Sequence, residues 1–209
     1  MSISRIGDRL GANEGLPLGY RRCEYLESTG TQWIDTGIKL SSESEAKCEY
    51  ELMTETPGAN QYLFDTQTNP NDSSFIQFGF TLYNFSSTSR VFAYVRTSTT
   101  PQIATQRPDG KTSITLNKKG LIINNVFLQG TEPDEFILPL NCYLFADNQN
   151  GRVASKAYAR IYSFSISRNG ELQLDLQPCL DPYGVPCMYD FVSKRPLYNE
   201  DDGDQFLYG

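Results

Sequence analysis

ESEAKCEYELM, residues 43–53, decides the fold class. Charged side chains recur at every second position: Glu43, Glu45, Lys47, Glu49 and Glu51. Between them stand Ala46, Cys48, Tyr50 and Leu52. A period of two with charge on one side predicts a β-strand buried on one face. An amphipathic helix would space its apolar residues three and four apart.

The same texture extends outward. TETPGANQ (54–61) breaks the strand, and QYLFDT (61–66) resumes it. SFIQFGFTL (74–82) places Ile76, Phe78, Phe80 and Leu82 on one face. RVFAYVR (90–96) opposes Phe92 and Tyr94 to Val91 and Val95, and TSTTPQ after it is a loop. TSITLN (112–117) keeps Ile114 and Leu116 in phase. KKGLIINNVFLQG (118–130) reads as a tight hairpin on Asn124-Asn125, because Asn tolerates the positive φ of a two-residue turn. LNCYLFADNQNGR (140–152) reads as a strand entering a polar loop. AYARIYSFSIS (157–167) is expected to carry Tyr158, Tyr162, Phe164 and Ile166 on one face. After a turn at Arg168-Asn169-Gly170, ELQLDLQP (171–178) aligns Leu172, Leu174 and Leu176. Short strands at roughly 8–12-residue spacing, with turn signals between them, predict an all-β sandwich or barrel. Faces of unequal polarity fit antiparallel sheets with one solvated side. An antiparallel two-sheet jelly-roll sandwich satisfies both conditions.

Composition narrows the chemistry. The chain has 209 residues, enough for one β domain. It contains no histidine, which excludes a Ser-His-Asp triad, a Cys-His dyad and a His-ligated zinc. Twenty-five acidic residues against 18 basic give a net charge of -7. That balance argues against a nucleic-acid partner, whose footprint is basic. No run approaches the roughly 18 apolar residues of a membrane helix, so membrane insertion is not expected. The first twenty residues have no apolar segment and do not read as a secretory signal. Cys23, Cys48, Cys142, Cys179 and Cys187 form no CxxC pair. They read as reduced thiols packed as small hydrophobes, with a Cys179–Cys187 bridge as the alternative.

The two ends differ from the middle. Residues 1–22 hold four Gly, one Pro and a slight positive charge. They read either as a frayed terminus or as an arm that docks on another protein. In the docking reading, Arg5, Ile6, Arg9, Leu10, Leu16 and Leu18 make the contact. Near the other end, Glu200, Asp201, Asp202 and Asp204 concentrate much of the net charge. Such a run is usually a solvated loop, and calcium is its sharper reading. The run lacks the spaced D-x-[DN]-x-[DN]-G ligand pattern, so no cofactor is assigned.

EYLESTGTQWIDTGIKL (24–40) closely resembles the opening strands of a concanavalin A-like, laminin-G-like jelly-roll domain. That domain recurs in structural proteins of bacteriophages and prophages. RIYSFSISRNGELQLDLQPC (160–179) resembles its penultimate hairpin, GVPCMYDFVSKRPLYN (184–199) its closing segment and DQFLYG (204–209) its final strand. The resemblance covers roughly residues 23–209, leaving 1–22 as the arm. It implies a virion protein of a tailed phage, made in the host cytoplasm and displayed on head, collar or tail. It further implies virion proteins as partners and a homo-oligomer in the particle. Related domains also bind carbohydrate, so recognition of host-surface glycans is the alternative, with a glycoside hydrolase third.

Candidate site residues follow from these readings. Asp147, Asn148, Asn150 and Arg152 offer polar groups for a ligand, although ordinary turns have the same composition. Loop tyrosines, Tyr183 among them, are better suited than Trp33 to stack on a sugar, and the sequence does not choose among them. Trp33 alternates with Ile34 in a strand and reads as structural. The row Glu43, Glu45, Glu49 and Glu51 could supply a glycosidase pair. Lys47 interrupts it, and a solvated, edge-protecting strand face is the simpler account.

Overall fold

Period-two burial over Ser44–Leu52 follows from the alternation of its side chains. Ala46, Cys48 and Tyr50 turn inward, and Lys47 and Glu49 stay exposed. The computed structural model describes residues 15–53, 60–69, 71–85, 88–97, 102–130 and 132–209, without the side chains of 83–85 and 88–89. The predicted break at 54–59, most of the loop after Thr97 and arm residues Arg5, Ile6, Arg9 and Leu10 lie outside the described residues.

Among the described residues the fold is all-β, with no helix. Two sheets face one another. The spine of the larger sheet runs Val126–Gln129, Gly120–Ile123, Thr112–Asn117, Ser44–Leu52, Tyr158–Arg168, Glu171–Leu180, Pro186–Asp190, Arg195–Leu197. Leu26–Thr29 joins it on Tyr158–Arg168, Leu207–Tyr208 on Leu26–Thr29, and Arg21–Arg22 on Glu171–Leu180. The smaller sheet runs Arg152–Ala154, Asp147–Gln149, Gln61–Gln67, Ile76–Phe85, Thr88–Thr97, Ile103–Gln106. Ile137–Leu144 pairs with both Ile34–Ser41 and Gln61–Gln67. Pairing is antiparallel except where Gln149 meets Gln67 and where Tyr62 meets Lys156.

Rings join the layers. Tyr50 and Phe164 of the larger sheet meet Phe80 and Phe64 of the smaller at centroid distances of 5.6 and 5.2 Å. All four are essentially solvent-free. Each removes about 150–250 Å² from water, so this small set carries much of the apolar burial. The hairpin turns form where Asn allowed them. Asn124 and Asn125 take φ of 46° and 66°, and Asn169 and Gly170 take 52° and 79°.

Four expectations are corrected. The Glu row does not protect an edge, because Ser44–Leu52 is paired on both sides. Tyr158 and Tyr162 do not share a face with Phe164 and Ile166. The register against Ser44–Leu52 slips between Ile161 and Ser163, which leaves Tyr162 as the extra residue of a bulge. Ala159 and Ile161 therefore take the inward positions before it. A second slip, opposite Ile166–Ser167, leaves Leu172 about half exposed while Leu174 and Leu176 are buried. Finally, on the central strands of the smaller sheet the expected polar face is not solvated, although outer strands such as Ile103–Gln106 keep exposed positions. Asp65, Gln67, Gln77 and Thr81 are as buried as Phe64, Phe78 and Phe80.

Candidate functional site

That buried polar face contains an acidic pair. Its position follows from a kink at Phe145, which holds φ at 64° after the Ile137–Leu144 strand. The Phe145 amide donates to the Leu63 carbonyl at 2.7 Å, and its carbonyl accepts from Ala157 at 2.8 Å. Its ring lies 5.0 Å from Phe206. These contacts hold a conformation uncommon for a bulky residue. They steer the chain into Asp147–Gln149, alongside the Gln61–Gln67 strand.

Asp65 and Asp147 meet there, both buried. Gln77 Nε2 donates to Asp65 Oδ2 at 3.0 Å, and Gln67 Nε2 donates to Asp147 Oδ2 at 2.6 Å. The Oδ1 atom of each is buried with no donor among the described residues. The two carboxyls interact with one another. Burial, and then the charge of Asp147, raise Asp65 well above the carboxylate range. Burial pushes Asp147 up to about 6. A proton held between them gives both carboxyls a partner and removes one buried charge.

The surroundings fix this arrangement. Gln77 Oε1 accepts from Arg96 Nε and Nη2 at 3.0 and 2.7 Å, which orients its amide toward Asp65. The Arg96 guanidinium lies 4.6 Å from the Tyr94 ring centroid and 5.1 Å from that of Phe75. Gly79 faces Asp65 across the ladder. A Cβ at Gly79 would fall 1.8 Å from Asp65 Oδ2, so this strand position admits only glycine. The pair can hold or release a proton. Its outer oxygens are already occupied by amides.

The sequence-chosen ligand residues divide among different roles. Asp147 belongs to the buried pair. Asn148 is buried too, donating to the Asn141 carbonyl at 2.8 Å and accepting from the Gly151 amide at 2.9 Å. Asn150, at φ 53°, and Arg152 are exposed at the tip of the hairpin. The expected polar loop is thus a short hairpin whose first two polar residues point inward. Tyr183 stands apart on the larger sheet, 92% exposed in the turn before Pro186–Asp190. Asp181 Oδ1 braces that turn by accepting from the amides of Tyr183 and Val185 at 2.8 and 2.9 Å.

A second cluster gathers at the root of the N-terminal segment. Arg21 and Arg22 pair with Leu180 and Cys179. Leu16 and Tyr20, with Phe191, pack against Cys179, Cys187 and Tyr189. Leu18 is fully exposed. All five cysteines are free thiols, and four are buried.

The acids of the Glu row and Asp201 have partners. Glu43 meets Lys118 at 2.5 Å, Glu45 meets Lys47 at 3.1 Å and Glu49 meets Lys111 at 3.4 Å. Glu51 accepts from Arg160 at 3.5 Å and from the Tyr162 hydroxyl at 3.0 Å. In the terminal acidic run, Asp201 pairs with Lys156 at 2.5 Å. Asn199 braces that loop, donating to the carbonyls of Asp201 and Asp204. Among the described residues, no group of three or more Cys, Asp or Glu is placed to hold a metal ion. Trp33 is half-buried against Tyr143, with ring centroids 4.5 Å apart.

No family model matches this chain, and no curated protein matches it.

Sequence reasoning missed Asp65, Gln67, Gln77, Gly79 and Arg96. A signal existed in the glycine inside SFIQFGFTL, since an interior strand glycine marks a close approach. Its partner Asp65 could not be named without the strand pairing.

Proposed function

We propose that this chain is a non-enzymatic structural component of a tailed-phage virion. In this reading a concanavalin A-like jelly roll (residues 23–209) is displayed on head, collar or tail, and the arm (1–22) docks it to another virion protein. The carrying observation is the fixed root of the arm. Arg21–Arg22 add to the Glu171–Leu180 strand, and Leu16 and Tyr20 pack on the domain. Any force on the preceding residues therefore passes into the sheet. The saturated carboxylates support a structural rather than hydrolytic reading. The Glu row is engaged by Lys and Arg, and the Asp65–Asp147 pair is buried with its outer oxygens occupied. No cofactor enters this reading. Repeated display on a symmetric particle makes a homo-oligomer natural.

The test is incorporation. Removing residues 1–14 spares the packed root and should leave a folded domain that no longer joins particles. Normal incorporation of the truncated chain would overturn the docking role.

Tyr183 favours a second reading, binding of host-surface glycans. A fully exposed ring on a turn braced by Asp181 is suited to stacking on a sugar. A glycan array that yields a ligand lost on Tyr183→Ala would support it.

A further inference from the structure

Cys179 and Cys187 occupy directly opposed positions on neighbouring antiparallel strands. Their sulfurs are 3.4 Å apart and unbonded. The ladder bonds Asp181 N to Val185 O and Phe191 N to Asp175 O. Counting by twos, 179 and 187 form a hydrogen-bonded pair, whose Cα atoms stand about 5.5 Å apart. That spacing lies at the usual value for a disulfide, about 5.5–6 Å. The Cβ atoms of such a pair stand at the wide end of about 4.5–5.5 Å. Closing the sulfurs from 3.4 Å to bonding distance therefore takes side-chain rotation together with a small local approach of the two strands. Cys23, next to the Arg22–Cys179 pairing, is the neighbouring thiol that alkylation mapping must separate from this pair, while Cys48 and Cys142 are kept from it by placement. Cys48 and Cys142 are buried in the main core between the sheets, whereas Cys179 and Cys187 form a separate cluster under the arm root.

We propose that Cys179 and Cys187 are a reversible redox latch that closes to a cross-strand disulfide beneath the root of the arm. The chemistry is independent of the virion reading. If that reading holds, release from a reducing cytoplasm is the event that closes the latch. The oxidant is a small-molecule disulfide such as oxidised glutathione. The Cys179 sulfur, its proton lost to solvent, attacks one sulfur of the oxidant and expels a glutathione thiolate. The Cys187 sulfur, deprotonated in turn, attacks Cys179 of the mixed disulfide and expels the second. Two protein thiols are oxidised, one disulfide is reduced to two thiols, and both protons end on glutathione. Cys179 is suited to the first attack. The hydrogen bond from Cys187 is the largest influence lowering its pKa, and Arg22 adds to it. Leu16 and Tyr20 lie over the pair, so the arm root sets access to the thiols.

The test incubates the native full-length chain with oxidised glutathione, quenches it in acid, and counts thiols after denaturation. The expected result is a fall from five thiols to three. Alkylation mapping should find Cys179 and Cys187 protected and Cys23, Cys48 and Cys142 labelled. Cys187→Ser should lose no thiol pair, and Tyr20→Ala should speed closure by uncovering the sulfurs. Oxidised wild-type protein should unfold at a higher temperature than reduced protein, a difference absent in Cys187→Ser. Retention of all five thiols, or an equal thiol loss in Cys187→Ser, would overturn the proposal.

Discussion

Asp65 owes its environment to one hydrogen atom in place of a side chain at Gly79. Gly79→Ala would drive a methyl into the Asp65 carboxyl. It should destabilise the fold by at least about 1–3 kcal/mol, the usual cost of overpacking, as measured by urea denaturation. The pair should also leave a mark on pH dependence. Both groups have raised pKa values, so the folded chain binds more protons than the unfolded one once pH exceeds the ordinary carboxyl range near 4. Their contribution is therefore fully present below about pH 4 and declines as pH rises through about 6, further for Asp65. Asp65→Asn keeps a hydrogen-bond donor toward Asp147 and removes the deeper titrating group. The stability difference, wild type minus Asp65→Asn, should shift against wild type by up to about 1.4 kcal/mol per pH unit over this window. Taking the difference cancels carboxyls of opposite sign such as Asp190. There burial works to raise the pKa, but hydrogen bonds from the Asp175 amide and from Ser193 prevail and lower it. A difference that is flat from pH 4 to 7 would remove the shared proton.

At the scale of elements, alternation could be read wherever one strand face met the core and the other met water. Ser44–Leu52 and Thr112–Asn117 are such strands, and their inward residues follow from the letters alone. The hairpin turns were equally legible, because positive φ selects Asn and Gly locally. Bulges were not. The slip at Tyr162 is set by which partner residues the strand meets, and it moves Tyr158 and Tyr162 to the outer face. There Tyr162 donates to Glu51 and packs edge-on against Tyr25 at 5.7 Å. The acidic pair was hidden for the same reason. Asp65 and Asp147 are far apart in sequence, and each looks like an ordinary strand or turn polar residue until the strands are paired. Turn chemistry yields a direct check. Asn125→Val places a β-branched residue at φ 66°. It should cost about 1–2 kcal/mol in thermal denaturation, whereas Asn125→Gly should be nearly neutral.

The whole molecule is a rigid sandwich with a short segment stitched to one sheet. The aromatic bridge sets its stability. Phe164→Ala empties space between Phe64 and the larger sheet and should cost about 3–5 kcal/mol in denaturant unfolding, more than any single surface change. Charge is arranged differently at the two ends. The arm is slightly basic, and the domain's acids are concentrated near the C-terminus, partly held by Lys156. Such a body can serve as a platform whose attachment is separable from its fold. In the proposed role the chain is built into a phage particle through its arm. Density-gradient-purified particles should be analysed by mass spectrometry after propagation with either the full chain or a chain lacking residues 1–14. The full chain is expected in the particle fraction at a fixed ratio to the major capsid protein, and the truncated chain folded but left in the soluble lysate. Equal recovery of both chains in particles, or the absence of the full chain from them, would contradict it.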